Sequence, residues 1–435
     1  MKMKLPLPKP STKIAKKPQQ LALLNQRLNQ LSQQFKQALA QEDYQRAYEC
    51  VHEVIHLVPD HRVAYMDLAY TALRLKRFDA AYQHYQKALE LSEKNIDPNI
   101  YDGLTEVAYF LNQQEQVRHY GHLSLKTKQK QVASETMTAL PHSAPPPISI
   151  ESPEQNIIAF SLFGDQPRYC ETAILNVIEA RKIYPEWRCR FYVDESVPSS
   201  VLSRLQQHGA QLVLVSPEQQ QISGLFWRFF VMDDPEVKRF LIRDADSLIS
   251  MREREAVDEW LQSDRWFHVM RDYYSHTELI LAGMWGGCTG IFHQIETSIR
   301  QYIASGRYLN ERVIDQHFLR YCIWPTLQQS VITHDRYLFA DNASRFPQDR
   351  DRQPDWRIQY QHVGMNESAA TVSVTVNHPD AVRVKWVLLN QMKQIVCQYS
   401  AQVLSNRSIE IHLPENYVEK IRLKAWNLQI YPYEN

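Results

Sequence analysis

The chain carries no excess of either charge: 49 lysine and arginine residues balance 49 aspartate and glutamate residues over 435 positions. That balance argues against the global electrostatic attraction by which basic domains gather nucleic acid. Long apolar runs are missing too. No window approaches the roughly 18 apolar residues of a membrane span, and the longest candidate, residues 279–292, is interrupted by four glycines. The opening residues hold no apolar core of leader-peptide length, so export by that route is not expected. Cysteine is sparse. Cys50, Cys170, Cys189, Cys288, Cys322 and Cys397 show no ligand-like spacing, which points to buried free thiols in a reducing compartment rather than to zinc or a disulfide framework. A cytoplasmic protein is expected.

The local exception to neutrality is the opening segment, residues 1–19, where Lys2, Lys4, Lys9, Lys13, Lys16 and Lys17 occur without an acidic residue. Such a segment is a solvated tail or a contact to the inner, anionic face of a membrane, where each basic residue adds about 1 kcal/mol. The length suggests two or three domains, and 44% apolar residues allow sizeable cores.

Residues 20–130 are helical by pattern and repetitive. Tyr44, Ala47 and Val54 recur 34 residues later as Phe78, Ala81 and Ala88, and Tyr65, Leu68 and Ala72 recur as Tyr101, Leu104 and Ala108 after two extra residues. This period, with small residues at fixed offsets, resembles the tetratricopeptide repeat. Stacked units of that kind offer a surface to a partner protein, to a second copy of the chain, or to the next domain. Residues 131–155, ending in Pro145-Pro146-Pro147, form a linker whose composition favours extended backbone. Residues 156–347 alternate strand and helix, the pattern of a largely parallel, Rossmann-like sheet covered on both faces. Helix is expected over 170–184, 199–207 and 224–232. Residues 355–435 alternate at period two, in Val372, Val374 and Val376, in Ile409, Ile411 and Leu413, and in Ile421, Leu423 and Ala425, as in a small antiparallel sheet. Its aromatics, Trp386, Trp426, Tyr431 and Tyr433, suit a core, with a carbohydrate or partner surface as the second reading. The expected fold is therefore multidomain: α-helical repeats, an α/β domain, and a small antiparallel β domain.

Within the α/β region the run Phe240-Leu241-Ile242-Arg243 ends in Asp244-Ala245-Asp246. Extended geometry places Asp244 and Asp246 on one side and Ala245 on the other. Two such carboxylates suit Mg²⁺ or Mn²⁺ and leave coordination positions for substrate phosphates. A second match, Asp349-Arg350-Asp351, lies in a polar loop without a preceding strand and is expected to be a solvated acidic turn. Ligands of parallel sheets bind beyond the carboxyl ends of the strands. Asp244 and Asp246 lie at such an end, as does the Gly164-Asp165 turn after the first strand, a donor-binding candidate.

The arrangement resembles the GT-A fold of nucleotide-sugar-dependent glycosyltransferases. Leu225-Phe226-Trp227-Arg228-Phe229 resembles the arginine-bearing segment of family 8, the glycogenin and lipopolysaccharide hexosyltransferase group, and implies that Arg228, with Arg243 as a second candidate, contacts the donor. Asp315-Gln316-His317-Phe318-Leu319 resembles the Asp-Gln motif beside the donor sugar, and His334 falls where such enzymes complete a metal site with Asp244 and Asp246. His334 lacks the family's His-x-x-Gly-x-x-Lys-Pro-Trp setting, and Arg243 replaces its usual hydrophobic or aromatic residue. Met270 to His276, followed by Gly283-Met284-Trp285-Gly286-Gly287, looks like an acceptor-side loop. There Trp285 would face a sugar ring and Asp272 or His276 would take the acceptor proton, a base that a retaining reaction does not need.

The resemblance implies a metal-dependent transferase moving a hexose from a nucleotide diphosphate, UDP by preference, to a glycan, a lipid-linked sugar or a protein. Its rival is a repeat scaffold with an inactive transferase-like domain. A metal-dependent phosphatase would want a second cluster of metal ligands, and the sequence assembles none.

Overall fold

The computed structural model describes residues 18–93, 96–307, 311–349, 362–367 and 370–433; the lysines of the opening segment and Asp351 lie outside them. Six helices come first, α1 (Pro18–Ala40), α2 (Tyr44–Leu57), α3 (Arg62–Arg74), α4 (Phe78–Glu90), α5 (Pro98–Phe110) and α6 (Gln114–Gln131). The turns inside the pairs α1–α2, α3–α4 and α5–α6 each use a non-glycine residue in the left-handed region, Glu42, Lys76 and Asn112, at φ 55°, 59° and 60°. Asp43 caps α2 by accepting the Arg46 N–H at 3.0 Å. Pro98 opens α5 behind Asp97, the position where a missing N–H costs least. Ala47, Ala72, Ala81 and Ala108 are fully buried, because only small side chains let neighbouring helices approach this closely.

The helices from Ala69 onward share one apolar core with the sheet that follows, whereas Leu31, Phe35, Val54 and Leu68 form a separate cluster. Tyr109 stacks on Tyr274 of the sheet domain with ring centroids 3.9 Å apart. Lys128 Nζ pairs with Asp102 at 2.9 Å and donates to the Thr277 carbonyl at 2.8 Å. The proline-rich stretch after α6 is fastened to the same domain. Thr138 N–H donates to Thr326 Oγ1 at 2.9 Å, and the Pro146 carbonyl accepts from Arg239 Nε at 2.9 Å.

The sheet domain runs β1 (Asn156–Leu162), α7 (Pro167–Ile183), β2 (Arg188–Val193), α8 (Ser199–Gln207), β3 (Gln211–Leu214), β4 (Arg239–Arg243), α9 (Met251–Gln262), β5 (Phe267–Arg271), β6 (Met284–Cys288), α10 (Ile295–Ser305), α11 (Ile314–Phe318), α12 (Trp324–Leu327) and β7 (Val331–Asp335). The strands form one seven-stranded sheet in the order β3-β2-β1-β4-β6-β5-β7. Only β6 runs antiparallel to its neighbours β4 and β5. Residues expected as α-helix over 224–232 instead form a 3-10 helix, Gly224–Asp233. Every side chain from Phe226 to Met232 is buried, so the segment has no solvent face to set a helical period. Five of the cysteines are buried free thiols and Cys322 is half-buried. Among the described residues no helix is long and apolar enough to cross a membrane.

The last region carries β8 (Ala370–Thr375), β9 (Arg383–Leu389), β10 (Ile395–Gln402), β11 (Ser408–Leu413), α13 (Glu415–Arg422) and β12 (Asn427–Pro432), in antiparallel sheets β10-β9-β12 and β11-β8. The alternation of Ile421, Leu423 and Ala425 is not a strand. Pro414 starts α13, which buries Tyr417 and Val418 at helical spacing from Ile421 and leaves Leu423 71% exposed. Trp386 belongs to this core, whereas Tyr431 and Tyr433 are exposed. The region is docked on α7 by Glu171, which accepts from Arg204 at 2.8 Å through both oxygens and from the Tyr399 hydroxyl at 2.6 Å.

The tightest point of the helical array is Gly103, where a Cβ would lie 2.1 Å from the Tyr85 ring. Gly103→Val is expected to destabilise the chain by about 1–3 kcal/mol through overpacking. The check is a lower urea midpoint with an unchanged slope.

Candidate functional site

Parallel pairing of β1 with β4, Ala159 opposite Ile242, sets their carboxyl ends side by side. Beyond β1, Gly164 adopts φ 75° and its N–H donates to Ser196 Oγ at 2.6 Å, with Asp165 exposed next to it. Beyond β4, the alternation read from the sequence holds: Ala245 is buried, and Asp244 and Asp246 are half-buried. Asp244 forms an ion pair with Arg228 Nη1. Its carboxylate lies over Gly283, where a Cβ would come within 2.0 Å of Oδ2. Asp246 Oδ2 accepts from Asn366 Nδ2 at 2.9 Å, and its carbonyl accepts the Glu367 N–H at 2.8 Å.

Arg228 is the hinge of this cluster. The 3-10 helix that carries it is tied to β1 by a 3.0 Å bond from the Arg228 N–H to Ser161 Oγ. Only 4% exposed, the side chain donates from Nη1 to the Arg243 carbonyl at 3.0 Å and from Nη2 to Asp315 Oδ2 at 3.0 Å, while Nε has no partner. Burial opposes the guanidinium charge, but Asp244 and Asp315 outweigh it and hold the group above its usual range. Asp315 sits on α11, where its Oδ1 accepts the Gln316 N–H at 2.9 Å. Burial pushes the Asp315 carboxyl up, against the pull of Arg228. Arg228, Asp244 and Asp315 are thus brought together, with Asp246 beside Asp244 and Gln316 beside Asp315.

Other sequence candidates lie elsewhere. Arg243 turns inward: its Nε meets Glu253 at 3.0 Å, and its Nη1 donates to the Ile242 and Trp285 carbonyls at 2.8 and 3.1 Å. That makes it a buried ion pair behind β4 rather than a donor contact. Trp285 is a central residue of β6, fully buried against Phe240 and Phe229. The glycine-rich run is a strand interior, so this indole offers no face to a sugar. Asp272 is fully buried and clamped by Arg252 at 2.6 and 2.8 Å, with the Val363 N–H on the same carboxylate at 2.9 Å. The same Arg252 holds Asp349 at 2.6 Å, so the first aspartate of the second acidic match is an ion-pair partner rather than a solvated side chain. His276 Nδ1 accepts the Asp272 N–H at 3.0 Å, and burial together with His362 and Arg271 drives its pKa well below the usual range. A neutral ring bonded in this way carries its proton on Nε2 and has no free lone pair to act as a base.

His334 is not brought to the aspartates. It is fully buried on β7, with Nδ1 2.9 Å from His268 Nε2 and Nε2 2.9 Å from Glu259. Strands β6 and β5 stand between it and β4. Among the described residues no three His, Cys, Asp or Glu side chains are grouped to hold a metal. The closed set of Asp244, Asp246 and His334 therefore does not fit. An adjacent carboxylate pair does suit a cation shared with substrate phosphates. Gly283 and Asn366 complete the surroundings of that pair and carried no sequence signal, since each acts on an aspartate far away in the chain.

No protein family matches the sequence, and no curated protein is significantly similar to it. Solved structures that match part of the chain include a mutant of the O-GlcNAc transferase of Thermobaculum terrenum, 13% identical over 45% of this chain and 42% of that one, with a TM-score of 0.25. An active-site mutant of LgtC is 15% identical over 46% of this chain and 81% of its own, with a TM-score of 0.29. The chain spans less than half the length of the first. Likeness at this level defines neither activity nor site.

Burial and the neighbouring Asp244 push the Asp246 carboxyl up to about 6, against about 3.9 in an unfolded chain. The folded state therefore binds this proton more tightly. The destabilisation it causes is complete above pH 6 and disappears as pH falls toward 4. Asp246→Asn is expected to remove that contribution, on the order of 1 kcal/mol after solvent screening. Urea midpoints of both proteins at pH 7 and pH 5 measure it: the gain on acidification should be smaller in the variant.

Proposed function

We propose that the chain is a nucleotide-sugar-dependent glycosyltransferase whose donor site lies at the carboxyl ends of β1 and β4. One observation carries the reading: the buried Arg228 guanidinium joins Asp244 and Asp315, residues from three separate elements, beside a second carboxylate, Asp246. Transfer from a nucleoside diphosphate develops negative charge on the leaving group, and preorganised charge aimed at that position is a large source of catalysis. Arg228 suits that position because its planar fork binds phosphate or sugar oxygens as readily as carboxylates. Once a donor takes up part of the fork, Asp244 is released from its ion pair. Asp244 and Asp246 would then hold Mn²⁺ or Mg²⁺, which when bound supplies Lewis-acid stabilisation of the departing diphosphate. Asp315 and Gln316 would orient donor hydroxyls, and the Gly164-Asp165 turn would flank the nucleotide.

The acceptor side is simpler than the sequence implied. With Asp272 clamped by Arg252 and the Nδ1 of His276 engaged, neither takes the acceptor proton, which favours a retaining reaction that needs no such base. A glycan, a lipid-linked sugar or a protein remains the acceptor class. The placement of His334 favours the second reading, a helical scaffold whose sheet domain does not turn over.

One experiment separates the two: melting of the full chain with UDP, GDP and CMP, each with Mn²⁺ and with chelator. Ligand at 100 times its Kd stabilises the folded state by about 2.7 kcal/mol, a shift of several degrees. A Mn²⁺-dependent shift with one nucleotide, lost in Asp244→Asn and in Arg228→Lys, is expected. No shift with any nucleotide at saturation would make the scaffold reading the better one.

A further inference from the structure

The face that the helical array builds from α3 and α5 holds carboxylates that the fold leaves unmatched. Asp67 of α3 and Glu106 of α5 are half-buried, and among the described residues neither has a hydrogen bond or an ion pair. Burial alone pushes the Asp67 carboxyl up to about 7, with no cation drawing it back. Burial also raises Glu106, against the pull of Arg74. Arg74 itself is exposed and engaged elsewhere, its guanidinium 5.2 Å from the centre of the Tyr44 ring. A third carboxylate, Asp102, is already satisfied by Lys128 and Ser124. An unmatched carboxylate withdrawn from water is costly, and a cation supplied from outside removes that cost.

The floor of this face is Tyr85 of α4, 6% exposed, with the tip of its ring over Gly103. Its hydroxyl has no hydrogen-bond partner among the described residues. After burial, the charges of Glu106, Asp102 and Asp67 push that hydroxyl up, so all three carboxylates lie within electrostatic reach of it. Neither the Tyr85 hydroxyl nor the oxygens of Asp67 and Glu106 belong to the unpartnered atoms that are sealed from solvent. Tyr70, 42% exposed, stands beside Tyr85, and Phe110 lies one turn beyond Glu106. Among the described residues no three His, Cys, Asp or Glu side chains are grouped to hold a metal. A carboxylate without counter-charge, walled by tyrosine rings, suits an organic cation instead.

We propose that the α3–α5 face binds a lysine side chain of a partner peptide. Its ammonium group meets Asp67, Glu106 and the Tyr85 hydroxyl, and its alkyl stem lies against Tyr70. Charge complementarity selects this occupant, since Asp67 has no cation of its own. Arg74 and Arg312, both exposed, are the cations near Tyr70. Their place on the rim disfavours a second basic side chain there, so a single lysine among uncharged residues fits best. The site is independent of the transferase reading.

The test is calorimetric titration of the full chain at pH 8 and constant ionic strength with an end-blocked pentapeptide, Gly-Ser-Lys-Ser-Gly. The same peptide carrying acetyl-lysine is the control. Saturable binding of the lysine peptide alone is expected. The isosteric change Asp67→Asn should weaken it about tenfold or more, and Glu106→Gln and Tyr85→Phe several-fold. Asp264→Asn, at an exposed acid of the sheet domain, should leave the Kd unchanged. Removing an unmatched carboxylate should also raise the melting midpoint of Asp67→Asn, which separates loss of binding from loss of the fold. Binding of neither peptide, equal binding of both, or a Kd that Asp67→Asn leaves unchanged would overturn the proposal. So would binding that appears only when Lys2, Lys4, Lys9, Lys13, Lys16 and Lys17 are replaced by serine, since the chain's own first residues would then hold the place assigned to a partner.

Discussion

The buried positive charge at the end of β4 is the constraint around which the sheet domain is organised. Two guanidinium groups, Arg228 and Arg243, are almost completely withdrawn from solvent there, and neither can stay charged without nearby oxygen. Arg243 finds Glu253 on α9, behind the sheet. Arg228 finds Asp244 and Asp315 in front of it. The inner pair fixes where β4 ends, and the outer trio fixes where the 3-10 helix, the Asp-Ala-Asp turn and α11 meet. A hydrophobic core would tolerate small slides among these elements, but paired buried charges do not, so the geometry of the candidate site follows from the need to satisfy them.

Local pattern carried much of the fold. The apolar run before Asp244, the alternation that turns Ala245 inward, and the paired small residues of the helical array all depend on neighbours within a few positions or one repeat period. Their structural counterparts are β4, the half-buried Asp244 and Asp246, and the buried Ala47, Ala72, Ala81 and Ala108. Sequence reasoning failed where the deciding neighbour is remote. Trp285 sits in a glycine-rich run that resembles a loop, yet pairing of β6 with both β4 and β5 buries it. Asp272 has a catalytic residue type in a suggestive segment, but Arg252 twenty positions earlier occupies it. The alternation at Ile421, Leu423 and Ala425 is compatible with strand or helix, and Pro414 together with the burial of Tyr417 and Val418 decides for helix.

The histidine follows the same logic with a different lesson. His334 stands at the right place in the order of motifs, yet order along a chain does not fix distance across a sheet. Its ring is engaged from both nitrogens, by His268 and by Glu259, and serves the packing of α9 on the edge of the sheet. Residues that do surround the aspartates, Gly283 and Asn366, are unremarkable in sequence. A glycine under a carboxylate and an amide supplied from 120 positions further along the chain are visible only once the chain has closed on itself.

The helical array cannot be treated as a detachable platform. From Ala69 onward its apolar residues belong to the same core as β1 and β4, and polar contacts reinforce the junction. Lys128 joins Asp102 within the array to the Thr277 carbonyl in the sheet domain, one residue before Glu278. Glu278 in turn pairs with Arg320 on the segment that follows α11, the helix carrying Asp315. The chain of contacts from α6 to Asp315 is therefore short and made largely of buried charges. The first two helices pack instead with the start of α3, through Ala64 and Leu68, in a separate apolar cluster.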